Sequence, residues 1–118
     1  MAVVRHHTGP RMSQAVVTNG MVFLAGQVAH GARGKSVTEQ THDILQRIDA
    51  LLAEVGTSKA NLVSATVWLA DISTFAEMNA VWDAWVAEGN TPARACVEAR
   101  LAHPDFTVEI MASGCVES

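Results

Sequence analysis

The stretch LVSATVWLADISTFAEMNAVWDAWVAEG, residues 62–89, puts a strand and a helix in immediate succession. Over residues 62–70 the side chains alternate: Val63, Ala65, Val67 and Leu69 share one face, and Ser64, Thr66 and Trp68 share the other, which is the period of a β-strand. From Phe75 onward the period changes. Phe75, Met78, Trp82 and Trp85 recur at the i, i+3, i+7 and i+10 spacing of one helical stripe. Asp71 or Ser73 can cap the start of this helix, and Gly89 and Pro92 end it after about Glu88. An aliphatic strand face and an apolar helix stripe must each be buried against something, so the helix is expected to pack on one side of a sheet.

The same logic extends in both directions. Residues 14–29 read as two short strands around Asn19–Gly20, a dipeptide suited to the positive φ of a tight hairpin. The loop HGARGK leads to Ser36 and Glu39, which have capping-box spacing. A helix follows from about Val37 to Val55, with Ile44, Ile48, Leu51, Leu52 and Val55 on one face and Gly56 as its left-handed stop. Two final strands, about 93–100 and 107–115, flank the turn-forming AHPD. The order β-β-α-β-α-β-β predicts an α+β fold, two helices on one face of a mostly antiparallel mixed sheet, formed by residues 1–118 as one domain.

Composition narrows the functional classes. Apolar residues make up 49% of the chain and charged residues 17%, below the ~25% usual for a soluble domain, which favours burial between subunits. The face carrying Trp68 is where such burial is expected. Eight basic residues, dispersed along the chain, face 12 acidic ones, so nucleic acid is not the expected partner. Cys96 and Cys115 are the only cysteines, the segment MAVVRHHTGP has no signal-peptide core, and no apolar run reaches the ~20 residues that span a bilayer. A soluble cytoplasmic protein with free thiols is expected. The five histidines lack paired ligand spacing, and His6 and His7, being adjacent, are expected to point in different directions. Neither a metal nor a cofactor is expected.

Candidate chemistry comes from the last two strands. If Ala95 and Val97 face the helices, then Arg94, Cys96 and Glu98 project from the opposite side, and Val108, Ile110 and Ala112 put Glu109, Met111 and Ser113 there as well. Arg94 and Glu109 would then share the face predicted to lie at subunit contacts. A guanidinium there can hold a substrate carboxylate through two parallel hydrogen bonds; a structural Arg94–Glu109 ion pair is the equal alternative. Cys96 has no histidine beside it in sequence and reads as a wall of a pocket rather than a nucleophile. Glu98 reads as a solvated strand residue or a partner for Arg100 or Lys35. Trp82 and Trp85 sit on the apolar stripe and belong to the core.

The runs SQAVVTNGMVFLAGQVA (13–29), FAEMNAVWDAW (75–85) and TPARACVEARL (91–101), with VEI (108–110), resemble the signature stretches of the Rid family, the YjgF-type reactive intermediate deaminases. The resemblance covers nearly the whole chain. It implies a chorismate-mutase-like α+β fold, a homotrimer, ligand sites in clefts between subunits, and hydrolysis of 2-imino and enamine acids to 2-keto acids and ammonia without a cofactor. By the same resemblance Arg94 matches the carboxylate-holding arginine, Glu109 the glutamate that positions or activates water, and Cys96 a cysteine beside the ligand. Asn79 and Gly26 match positions that shape the site. The tyrosine usual in the family's GPYSQA motif has no counterpart in GPRMSQA, where Arg11 and Met12 stand, and Ala25 replaces a common polar residue before Gly26–Gln27. Some relatives are described as endoribonucleases or translation inhibitors, so RNA cleavage and non-catalytic small-acid binding are the alternative functions.

Overall fold

The computed structural model of the chain describes residues 2–116. The elements run β1 (Val3–Thr8), β2 (Ser13–Thr18), β3 (Met21–Leu24), β4 (Gln27–Val28), α1 (Val37–Glu54), β5 (Leu62–Leu69), α2 (Phe75–Trp85), β6 (Ala93–Glu98) and β7 (Val108–Cys115). They form one sheet in the order β1-β2-β3-β7-β5-β6, with β4 pairing on β7 beyond the end of β3. Every pairing is antiparallel except that of β5 with β6. That pair is parallel because α2 returns the chain to the end of the sheet where β5 began. The predicted α+β class and mixed, mostly antiparallel sheet are both present.

Local chemistry sets the boundaries. Asn19 (φ 53°) and Gly20 (φ 77°) make the tight β2–β3 turn. At the start of α1, Ser36 Oγ accepts the Glu39 amide at 3.1 Å and donates to Glu39 Oε1 at 3.3 Å, satisfying an amide the helix leaves open. Gly56 (φ 85°) ends α1, its N–H reaching Ala53 O at 3.1 Å. Helix α2 stops at Trp85, nearly a turn before Glu88, because residues 87–90 close a turn of their own through Asn90 N–H and Ala87 O at 2.9 Å. Trp85 stays half-buried, its indole N–H donating to Asp49 Oδ2 of α1 at 2.9 Å.

The core lies between one sheet face and both helices. Ile44, Leu45, Ile48 and Leu52 of α1 and Met78, Val81 and Trp82 of α2 pack on Val22, Leu24, Val67, Leu69, Val108 and Ile110. In β5 the alternation slips at its start. An irregularity between Leu62 and Ser64 turns Leu62 inward and leaves Val63 47% exposed, against the expectation that Val63 joins the core. Strand β1, absent from the predicted order, pairs along β2 at the sheet edge.

The opposite face is open. Its register places Phe23, Ser113, Ser64 and Ala93 in one row, Met111, Thr66 and Ala95 in the next, and Val28, Glu109, Trp68 and Val97 in a third. Phe23, Val97 and Met111 are between 43% and 48% exposed, so this face presents a band of uncovered apolar side chains, as the sequence pattern of Trp68 anticipates.

Candidate functional site

Glu109 stands on the open face, as predicted; Arg94 does not. Arg94 is the cross-strand partner of Ala65, whose side chain is buried under the helices, so Arg94 and Cys96 point to the helix side while Ala93, Ala95 and Val97 point to the open side. The expected phase of β6 is therefore inverted, and Arg94 and Glu109 lie on opposite faces of the sheet. An ion pair between them within one chain is excluded. The inversion has a physical cause at the edge of α2: the Arg94 guanidinium carbon sits 5.0 Å from the Trp82 ring centroid and 5.8 Å from that of Phe75, with Nη1 4.0 Å from Met78 Sδ. Two π faces and a polarizable sulfur make the edge of the apolar layer hospitable to a guanidinium.

The first cluster holds Arg94, Cys96 and the α2 stripe. Arg94 has no carboxylate partner among the described residues. Burial pushes the Cys96 thiol above its ordinary pKa, partly offset by the neighbouring Arg94 charge, so it is held as a thiol at neutral pH. Asn79 shares the stripe with Phe75 and Trp82 at helical spacing, and its Oδ1 is buried without a hydrogen-bond partner among the described residues. Glu98 leaves this cluster altogether: it accepts the Ile72 amide at 3.0 Å and fixes the turn that leads into α2.

The second cluster is built around Glu109. Its carboxylate lies directly over Gly26, where any β-carbon would collide with Oε2. Gly26 belongs to the bend between β3 and β4, fixed by the Ala25 amide on Gln14 O at 2.9 Å. Burial raises the Glu109 carboxyl above its usual pKa, and no hydrogen bond or ion pair offsets this among the described residues. Beside it opens a cleft of about 600 Å³ bordered by Met12, Gln14, Gln27, Arg47 and Glu54. His7 also borders it, and here adjacency misled: a left-handed backbone at His7 (φ 54°) breaks the strand alternation, so that both imidazoles meet Glu54. His7 Nε2 lies 2.8 Å from Oε1 and His6 Nδ1 3.2 Å from Oε2, and the His7 hydrogen bond leads in holding Glu54 below the usual carboxylate range.

Gly26 and Glu109 are thus together, Arg94 and Cys96 are together, and the sheet separates the pairs. A family profile described as endoribonuclease L-PSP matches residues 6–116. The chain belongs to this family. A RutC family protein of Haemophilus ducreyi is 42% identical over 106 residues, covering 90% of each chain, and the RutC family protein YoaB of Escherichia coli is 38% identical over 110 residues, covering 93% of this chain and 95% of its own. Among solved structures, a YjgF-family protein from Neisseria meningitidis superposes with a TM-score of 0.96 at 49% identity, over 100% of this chain and 98% of that one. The resemblance seen in the PARACVE and GQ segments is therefore a family relationship. Phe75 and Trp82 as the bed of Arg94, and Gln14 and Gln27 beside Glu109, were not anticipated as site residues. The first pair had a signal, since a βαβ crossover makes β6 parallel to β5 and sets Arg94 against α2.

Proposed function

We propose that the chain is a 2-imino and enamine acid deaminase whose site forms when a second copy brings its Arg94 half-site against the Glu109 half-site. The observation that carries the proposal is the separation itself: a guanidinium with no carboxylate partner among the described residues and a raised carboxyl, on opposite faces of one sheet. Among the described residues neither half has the partner its chemistry calls for, and a cyclic assembly supplies it by repeating one contact. The exposed Phe23, Met111 and Val97 give the open face apolar area to bury between copies, and a homotrimer is the closed arrangement we favour.

In that site the two Arg94 N–H groups hold the substrate carboxylate in parallel, flanked by the Phe75 and Trp82 rings, and the imine carbon faces Glu109 of the neighbouring copy. Glu109 as carboxylate accepts a proton from water as the water oxygen bonds to that carbon. Glu109 returns that proton to the imine nitrogen, giving the carbinolamine, and then takes the hydroxyl proton and passes it to the amino nitrogen as the C–N bond breaks, so that imine plus water becomes 2-keto acid plus ammonia. A pKa raised toward neutrality suits a group that must take and give the same proton. Cys96, held as a thiol, serves as a wall. The acidic balance and dispersed basic residues give no support to RNA cleavage, the activity in the family's description.

The test is turnover of freshly generated 2-iminobutyrate by the wild type, with Arg94→Ala alongside to report contaminating activity. Acceleration by the wild type that the variant loses supports the proposal. Equal rates for the two, or no acceleration, would overturn it.

A further inference from the structure

Among the described residues three side chains are buried and polar, and two of them have plain structural tasks. Gln40 donates to Lys35 O and Asp105 O and accepts the Thr107 amide, pinning two loops, and Thr41 Oγ1 bonds within α1. The third is Gln27, 7% exposed, which pairs in register with the core residue Ile110 and borders the same cleft as Glu109. Its Nε2 donates to Ala25 O at 3.0 Å and to Gln14 Oε1 at 2.9 Å. The backbone acceptor fixes which end of the Gln27 amide is nitrogen, and that in turn fixes Gln14: its oxygen faces Gln27 and its Nε2 is the end left for the cleft. Ala25 is the residue before Gly26, and Gln14 lines the cleft beside Glu109. Both of Gln27's bonds therefore end on elements that frame the Glu109 carboxylate.

We propose that Gln27 is a positioning residue for the Glu109 half-site. It holds the Gly26 bend that gives Glu109 its place, and it turns Gln14 so that an N–H faces the cleft. Water then sits between a donor, Gln14 Nε2, and an acceptor, Glu109, with one lone pair engaged by Gln14 and another directed at the imine carbon. Positioning of this kind matters because a displacement of about 1 Å at a reacting group can cost about 10²-fold in rate. The kinetic part of the proposal rests on the deaminase function; the part concerning Glu109 does not.

Gln27→Met keeps an unbranched side chain in the buried site and removes both donors. We expect kcat to fall about tenfold to a hundredfold with KM within about twofold, because the Arg94 half-site that binds the carboxylate is untouched. Independently of turnover, the Glu109 carboxyl, followed by carbon NMR in labelled protein, should titrate at a lower pH than in the wild type as the bend relaxes and water reaches it. Gln14→Met, at a half-exposed position, should reproduce the kcat loss, and the double variant should be no slower than the worse single one. A Gln27→Met protein that loses only thermal stability, with wild-type kcat and an unmoved Glu109 titration, would overturn the proposal. So would single effects that multiply in the double variant. If the wild type shows no turnover, the deaminase function fails and the Glu109 titration alone decides the role of Gln27.

Discussion

Gly26→Ala separates what Gly26 does for folding from what it does for Glu109. Gly26 is not among the residues of positive φ, so alanine meets no backbone strain there, and the new β-carbon collides with one thing, the end of the Glu109 side chain. That side chain can swing out, so the folding cost should stay within about 1 kcal/mol, the low end of overpacking penalties. The carboxylate must move by more than an ångström to clear a methyl group, which at a reacting group corresponds to a loss of about 10²-fold in kcat, or about 2.7 kcal/mol of transition-state stabilisation. Swinging outward also lets water reach the carboxyl, so its titration should drop toward the ordinary glutamate range. The assays are thermal unfolding, turnover of 2-iminobutyrate and carbon NMR of Glu109. Wild-type turnover with an unshifted Glu109 titration would refute the placement of the carboxylate over Gly26. Gly114→Ala is the contrast: its β-carbon would lie 2.6 Å from Asn61 O, a backbone atom that cannot swing away, so about 1–3 kcal/mol of stability should be lost without direct contact with Glu109.

Three further outcomes are expected. Cys96→Ala should retain turnover within about threefold, because burial disfavours the thiolate that nucleophilic catalysis would need; a loss comparable to that of Arg94→Ala would assign Cys96 a chemical role. Because burial raises Glu109 in the fold, its stabilising contribution is full below the unfolded pKa and is lost as pH rises through the folded one; Glu109→Gln should thus unfold at a higher temperature than wild type near pH 7 and match it near pH 3. Glu54, lowered chiefly by the His7 hydrogen bond, has the opposite sign, so the advantage of wild type over Glu54→Gln should be present above the unfolded glutamate pKa and vanish as pH falls through the folded value, as thermal unfolding against pH will show.

What was legible in the sequence was whatever a side-chain period could carry. The alternation from Ala65 to Leu69, the Met78–Trp82 part of the α2 stripe and the Ser36–Glu39 box each express a local rule and are present in the fold, whereas Phe75, expected on the stripe, is 42% exposed. Strand β1 was not legible because VVRHHT alternates nothing: it is an edge strand, exposed along nearly its whole length, and its pairing comes from β2 rather than from its own pattern. The phase of β6 misled because apolar character usually marks the inward face. In ARACVE the inward side chains are Arg94 and Cys96, and the alanines and Val97 face outward, toward the surface proposed to lie between copies. Glu109 was placed on its proper face because Val108, Ile110 and Ala112 are fully committed to the core. Gln14 and Gln27 gave no signal, since their importance lies in a bond between residues on different strands that no local spacing records.

If one site draws on two chains, mixing two inactive variants restores activity. Arg94→Ala lacks one half-site and Glu109→Gln lacks the other, so each alone should be inert. When the two are unfolded together, refolded in equal amounts and assayed, a site is intact wherever Arg94 comes from one variant and Glu109 from the other, about one quarter of sites in a random closed assembly. Recovery of about one quarter of wild-type turnover is the predicted result. A mixture as inactive as its parents, with exchange between the chains verified by mass, would mean that Arg94 and Glu109 of different copies do not share a site.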